Sequence, residues 1–374
     1  MYSLLLEKLV IKNYKSLHDL SIQLKKFNVL IGRNNTGKSN ILDCLQFVSD
    51  ITTDPIDRVF AARGDFSHVV YGGNPREEIS MKIWLAIDKH KVCYEITLID
   101  LRVLREKVFD ETRSLVLLSR DEKGQIIFFD EGEQKTFNVG VAPTITALMF
   151  IRTDPATEKK CPTTSDLVAF LKNWKFYKLN PSALRKALDP RKEYDIGKDG
   201  GDMALVLHTL VSAKLSTFRE VEETLRSAIE EVEELQSPLT DDGRTYVAVK
   251  ERCFEKPFDH YQLSDGILIL LAHLLVVFSP TKGKLIGIEE PEDYVHPKLL
   301  KFLVDTVKAS GTQVMLVTHS PYLLDVVSPE DVFIVQKKDG NTVCKSPNRK
   351  ELVKFLKEFS LGELWVSGEL DNAE

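Results

Sequence analysis

Two short stretches hold side chains whose types and spacing could do chemistry. The first is Gly32-Arg33-Asn34-Asn35-Thr36-Gly37-Lys38-Ser39, which fits G-x-x-x-x-G-K-S without a gap and runs on into Asn40. An apolar run, FNVLIG, precedes it, and NILDCLQFVSD continues it as a helix. In that setting the glycines let the backbone close around phosphate oxygens with successive N–H groups pointing inward. The helix starting near Lys38 adds its positive N-terminal end. Lys38 is then expected to reach the β- and γ-phosphates of ATP, and the Ser39 hydroxyl to ligate Mg²⁺. The bland alternative is a glycine turn between a strand and a helix.

The second stretch is IGIEEPEDYVHP, residues 286 to 297. The apolar run from Leu285 to Ile288 stops at Glu289, and Glu290, Glu292 and Asp293 follow, broken only by Pro291. Four carboxylates in five positions repel one another, so positive charge is needed nearby. A phosphate-binding core needs a second strand whose end carries a carboxylate toward Mg²⁺ and the attacking water. Leu285 to Ile288 reads as that strand, with Glu289 toward the metal and Glu290 polarising the water. Mg²⁺, Lys38 and the helix dipole would balance the charge. Otherwise the stretch is an acidic loop after a strand.

The elements that must position these residues fall into four stretches of the chain. Residues 1 to 50 read strand, strand, strand, helix, with a turn at Asn13-Tyr14-Lys15-Ser16. From about 78 to 138, alternating runs such as ISMKIWLAI, KVCYEITLI and QIIFF predict an antiparallel sheet. From about 143 to 236 the period is helical, with candidates SALRKAL, MALVLHTLVSA and STFREVEETLRSAIEEVEEL. From about 245 to 345 strands and helices alternate as in an open parallel sheet. The expected fold is α/β, a P-loop NTPase core of residues 1–98 and 246–374 interrupted by an inserted antiparallel-β and helical lobe, 99–245.

Composition sets outer limits. The 374 residues are 43% hydrophobic, 28% charged and carry a net charge of −6. A mildly acidic balance does not advertise a nucleic-acid binder, though a local basic face is compatible with it. The five cysteines form no C-x-x-C pair, a reduced, cytoplasmic pattern without a zinc site or disulfide frame. The N-terminus carries early charges, unlike a signal peptide. The longest apolar run, Ile267 to Phe278, falls short of the roughly 20 residues that cross a bilayer.

With these residues in view, the chain resembles the ABC-type ATPases of the SMC, RecF and OLD group, especially stand-alone ATPases similar to the ATPase domain of the OLD nucleases. The likeness rests on NYKSL near the start, GRNNTGKSN, LSDGILIL at 263 to 270, IEEPEDYVHP, and VTHSPYLLD at 317 to 325. It covers both ends of the chain and touches the middle only through GKDGGDMALVLHTL. The resemblance implies that Ser264, Asp265 and Gly266 form the signature loop that meets the γ-phosphate held by another subunit. Ser264 can also cap the helix that begins there, which turns hydroxyl, amides and dipole toward an anion. It implies that His319, after the strand QVMLVT, is the switch histidine, and that Lys15 is a basic residue near the nucleotide. Two departures stand out: Glu289 replaces the usual aspartate, and the glutamine expected in the window 62–76 is missing, Gln46 being a poor substitute. His296 reads as a cap for a helix starting near Lys298.

The function this implies is slow Mg-dependent ATP hydrolysis driving a head-to-tail, ATP-dependent homodimer, in DNA repair or defence. The partners implied are DNA and a nuclease or other effector protein, since only about thirty residues follow the hairpin-like VFIVQKKDGNTVCK, too few for a nuclease domain. No membrane partner is expected. A nucleotide-sensing module with negligible turnover is the main alternative. A transporter subunit fits less well because of LSDG, the missing glutamine and the large insertion. Residues 172 to 192, KNWKFYKLNPSALRKALDPRK, could offer lysines to phosphates and aromatics to bases. Equally, the aromatics could face a core and the lysines water.

Overall fold

The computed structural model describes residues 4–280 and 285–372. Its strands, in chain order, begin with β1 (Leu5–Tyr14), β2 (Leu17–Gln23), β3 (Phe27–Ile31), β4 (Ile79–Ile87) and β5 (His90–Ile99). They continue with β6 (Arg102–Asp110), β7 (Leu115–Arg120), β8 (Gln125–Asp130), β9 (Lys135–Gly140) and β10 (Lys175–Tyr177). The remainder are β11 (Val232–Gln236), β12 (Ala248–Glu251), β13 (Leu285–Glu289), β14 (Gln313–Thr318), β15 (Val332–Lys338) and β16 (Asn341–Lys345). The helices used below are α1 (Lys38–Asp50), α2 (Met203–Ala213), α3 (Leu215–Ala228), α4 (Asp265–Phe278) and α5 (Pro297–Ala309).

The chain forms two compact units. The first holds residues up to 174 together with 331–347. Eight of its strands make one antiparallel sheet in the order β2-β1-β4-β5-β6-β7-β8-β9. Strict alternation explains it: ISMKIWLAI buries every second side chain, so one face packs inward and the other meets water. Its third strand, β3, is buried on both faces and pairs in parallel with β15, Val29 opposite Val332. The β15–β16 hairpin turns at Asp339 and Gly340, both at positive φ, the conformation such tight turns need.

The second unit holds residues 175–280, 286–330 and 348–372. In it β10, β13 and β14 are successive neighbours, and β10 runs parallel to β13 with Tyr177 opposite Ile288. The apolar α4 is buried along nearly its whole length, which explains why its sequence shows no polar face. α3 instead buries a stripe of Phe218, Val221 and Leu225.

The segment RVLREKVFD, inside the stretch 78–138 expected to be antiparallel sheet, is β6, paired on both sides. Two expectations need correction. The long helix over 216–235 stops at Ala228, and VEELQ becomes β11 against β12. Pairing of Val232 and Leu235, both buried, outweighs the helix preference of the glutamates. SALRKAL is helical only from Pro181 to Leu184, because Arg185 leaves the helical conformation and the backbone of Leu188 pairs with Thr245.

Candidate active site

In the first unit, β3 delivers the chain to Gly32 and α1 begins at Lys38, so the strand–loop–helix order read from sequence holds. The loop's glycines are there for space. A Cβ on Gly32 would lie 2.4 Å from the Val335 carbonyl, and one on Gly37 would lie 1.9 Å from Thr342 Oγ1. Gly37 also has φ +98°, which L side chains rarely adopt. Asn35 takes the other left-handed position at φ +63°.

A one-way chain of hydroxyls braces this loop. Asn40 Nδ2 donates to Ser16 Oγ at 2.7 Å. Ser16 Oγ and Thr342 Oγ1 are 2.6 Å apart, and Thr342 Oγ1 donates to the Thr36 carbonyl at 2.8 Å. With Asn40 and Thr36 fixing the two ends, Ser16 must donate to Thr342. Thr36 Oγ1 in turn donates to the Arg33 carbonyl at 2.9 Å. The Lys38 ammonium lies across the loop, 2.6 Å from the Gly32 carbonyl and 2.9 Å from that of Arg33. Ser39 and Asn40 begin α1, whose N–H groups face the loop. The long chain separation between Ser16, Thr36 and Thr342 is why sequence reading missed the brace.

Lys15 sits at φ +49° in the β1–β2 turn, with its N–H on the Val69 carbonyl at 2.6 Å. Its ammonium pairs with Asp43 of α1 at 2.5 Å. Tyr14 donates to the same carboxylate at 2.6 Å, and Arg63 reaches both Asp43 at 3.1 Å and Asp50 at 2.7 Å. Burial pushes the Asp43 carboxyl up, but the bonds from Lys15 and Tyr14 and the charge of Arg63 outweigh it and hold it below the usual range. Gln46 bonds only to Asp50 of its own helix, at 2.6 Å.

In the second unit, β13 ends at Glu289. Glu290 then takes φ +51°, uncommon for a residue with a side chain, and its N–H donates to Val317 at 2.7 Å. Its Oε1 lies 3.7 Å from His319 Nδ1. The crowding of four carboxylates is relieved in two ways. Glu292 turns inward, where Thr318 donates to it at 2.5 Å and burial pushes its carboxyl up. Burial, then the neighbouring Glu290, raises Asp293. Glu289 and Glu290 share a cation that sequence reading did not place there: Lys178 Nζ is 3.6 Å from each. Burial lowers the Lys178 pKa, but these two carboxylates outweigh it and keep the ammonium charged beyond the usual range.

Ser264 caps α4, its Oγ accepting from Ile267 N–H at 3.3 Å. Asp265 is held by Arg185 at 2.6 Å, and Arg185 also donates to the His260 carbonyl at 2.6 Å. Gly266 packs against the loop after β13: a Cβ there would lie 2.9 Å from the Tyr294 carbonyl. His296 caps α5 through the Lys298 N–H at 3.3 Å, as its sequence position suggested.

The basic stretch 172–192 resolves toward the core. Trp174, Phe176 and Tyr177 are only 1%, 7% and 5% exposed, so they offer no stacking platform for bases. Lys175 pairs with Asp195 and Arg191 with Asp202. Among the described residues no cluster of three or more His, Cys, Asp or Glu could hold a metal alone. Mg²⁺ does not need one, since it takes one or two protein oxygens plus substrate phosphates. The hydroxyl of Ser39 and the carboxylate of Glu289 are donors of that kind. No described helix is long and apolar enough to cross a membrane.

Residues 5–139 match the family of the AAA ATPase domain, and residues 171–325 match the family described as AAA domain, putative AbiEii toxin, Type IV TA system. None of the curated proteins matches the chain in sequence. Among solved structures it is similar to an SMC head bound to the C-winged helix domain of ScpA, with a TM-score of 0.58 and 14% identity over 93% of this chain and 99% of that one. It is also similar to a Pyrococcus furiosus SMC head with an extended coiled coil bound to the C-terminal domain of ScpA, with a TM-score of 0.52 and 12% identity over 95% and 99%. At such identities the likeness is one of fold.

Proposed function

We propose that this SMC- and RecF-like ABC-type ATPase binds its nucleotide as Mg-ATP and hydrolyses it slowly between two head-to-tail copies. The backbone of Gly32 to Gly37 and the amides of Ser39 and Asn40 cradle the phosphates, and Lys38 balances the β- and γ-phosphates. Ser39 and Glu289 would hold Mg²⁺, which withdraws charge from the phosphates. Glu290 accepts a hydrogen bond from the attacking water and takes its proton. His319 orients that carboxylate and meets the γ-phosphate. Ser264, Asp265 and Gly266 present the N-terminal end of α4 to the γ-phosphate of the opposing copy. Lys15, fixed on Asp43, lends positive charge near the nucleotide. The core of this engine is 1–98 with 246–374, and 99–245 is its added lobe.

The observation that supports this reading best is Glu290. At the end of β13 its backbone takes φ +51°, and its carboxylate lies 3.7 Å from His319 and 3.6 Å from Lys178, among groups that can orient it. Its test is Glu290→Gln. Hydrolysis should fall by roughly 10²-fold or more, the scale lost with a general base, while ATP stays bound. An unchanged rate sinks the assignment.

The setting we favour is defence, with an effector protein as the partner. The toxin–antitoxin description attached to the family matching 171–325 supports it over DNA repair. A pull-down from the native host, with Mg-ATP and with Mg-ADP, tests this. Recovery of repair proteins rather than a toxin or nuclease would reverse the preference.

A further inference from the structure

Lys178 has so far been only a neighbour of Glu290, with no role of its own, yet its place is built. It directly follows β10, and the parallel register that sets Tyr177 opposite Ile288 brings it level with Glu289. Its backbone is pinned, since its N–H donates to the Lys198 carbonyl at 2.9 Å. The strand behind it is fixed by the buried Phe176 and by Tyr177, whose hydroxyl donates to Asp195 at 3.0 Å. The side chain is not pinned: it is 56% exposed and its ammonium stands midway between Glu289 and Glu290. A compact point charge on a flexible stem can leave such a position readily.

We propose that Lys178 is the exchangeable counter-ion of the Glu289–Glu290 pair, and that a divalent cation binds by displacing it from Glu289. The inference rests on Glu289 being the metal-side carboxylate. Two carboxylates this close need a cation, and the chain supplies a built-in one. A divalent ion on Glu289 and an ammonium 3.6 Å from that same carboxylate would repel each other, so one must yield. Lys178 thus opposes metal binding and keeps the pair in place without metal.

The test uses the full chain without nucleotide. Melting temperature is followed from EDTA into rising Mg²⁺ for the parent, Lys178→Met and Lys178→Arg, with Glu289→Gln added to Lys178→Met. Lys178→Met should melt lower in EDTA and be stabilised by Mg²⁺ at about five- to tenfold lower concentration than the parent, the scale of one or two half-exposed ion pairs. Lys178→Arg keeps the charge on a bidentate fork and should need Mg²⁺ at the parent's concentration or higher, and adding Glu289→Gln should abolish the Mg²⁺ response. A Lys178→Met protein with the parent's Mg²⁺ dependence overturns the proposal. A response that survives Glu289→Gln overturns the metal-side assignment instead. Neither outcome depends on turnover, so failure of the hydrolysis reading would be seen separately, in Glu290→Gln.

Discussion

Gly37 and Thr342 lie more than three hundred residues apart in sequence and touch in the fold: a Cβ on the glycine would fall 1.9 Å from the threonine hydroxyl. The Gly32–Ser39 loop is therefore shaped by the β15–β16 hairpin as well as by its own glycines. Thr342→Val keeps the volume and removes the hydroxyl, which leaves the Thr36 carbonyl and Ser16 short of a partner. We expect a loss of about 1–3 kcal/mol in stability, the cost of orphaned buried polar groups, and weaker binding of ADP and ATP alike. Thr342→Ser should restore both. Denaturant titration and a fluorescent-nucleotide displacement assay measure them. A weakening confined to ATP would mean that Thr342 acts at the γ-phosphate instead.

Lys38→Ala should abolish nucleotide binding or turnover. Its ammonium is the charge that the loop carbonyls of Gly32 and Arg33 hold at the mouth. Isothermal titration with Mg-ATP reads this directly. Hydrolysis at the parental rate would remove the central premise.

Glu290 keeps a backbone conformation that costs a side-chain-bearing residue roughly 1–2 kcal/mol. Glu290→Gly should relieve that cost, less the ion pairs with Lys178 and His319 that it loses, and abolish hydrolysis. Because glycine also frees the unfolded chain at a cost of about 0.4–1 kcal/mol, the expected outcome is a variant within about 1 kcal/mol of the parent in stability yet inactive, by chemical denaturation and phosphate release. A loss well beyond that entropy cost would show that the ion pairs outweigh the strain.

His273 lies fully inside α4, its Nδ1 on the Ile269 carbonyl at 2.8 Å, and burial pulls its pKa down to about 4. The unfolded chain titrates near the ordinary value of about 6.5, so between these limits it binds more protons than the folded one. Stability is therefore full above about pH 6.5 and declines as pH falls toward 4, by on the order of 3 kcal/mol from this group. His273→Leu should flatten that part of the curve. Melting temperatures of parent and variant at pH 5 and pH 7.5 decide it, and equal slopes would refute the assignment.

Ser264→Arg should block assembly, because a bulky cation would meet Lys38 of the opposing copy. In the Glu290→Gln background, light scattering should show the mass doubling with Mg-ATP, remaining single with Mg-ADP, and failing to rise once Ser264→Arg is added. A mass unchanged by ATP would sink the head-to-tail arrangement. In the proposed arrangement ATP would favour the pair only through a greater affinity for that state.

Sequence alone determined those features whose physics is local. Gly32 to Ser39 between an apolar strand and a helix, Ser264 and His296 as helix caps, and the alternation of β4 all depend on neighbours a few residues away. A cap needs one side chain and one N–H, and a phosphate loop needs glycines at fixed spacing. The tertiary structure decided what depends on distant chain segments. It withdrew Trp174, Phe176 and Tyr177 from any surface, ended α3 at Ala228, and bound Arg185 to Asp265. It brought Thr342 to the phosphate loop and Lys178 to Glu289 and Glu290. A lysine in a basic run looks like a solvated charge until a parallel strand register sets it beside two carboxylates. That register arises from pairing Lys175–Tyr177 with Ile286–Ile288, more than a hundred residues away, and no local pattern records it.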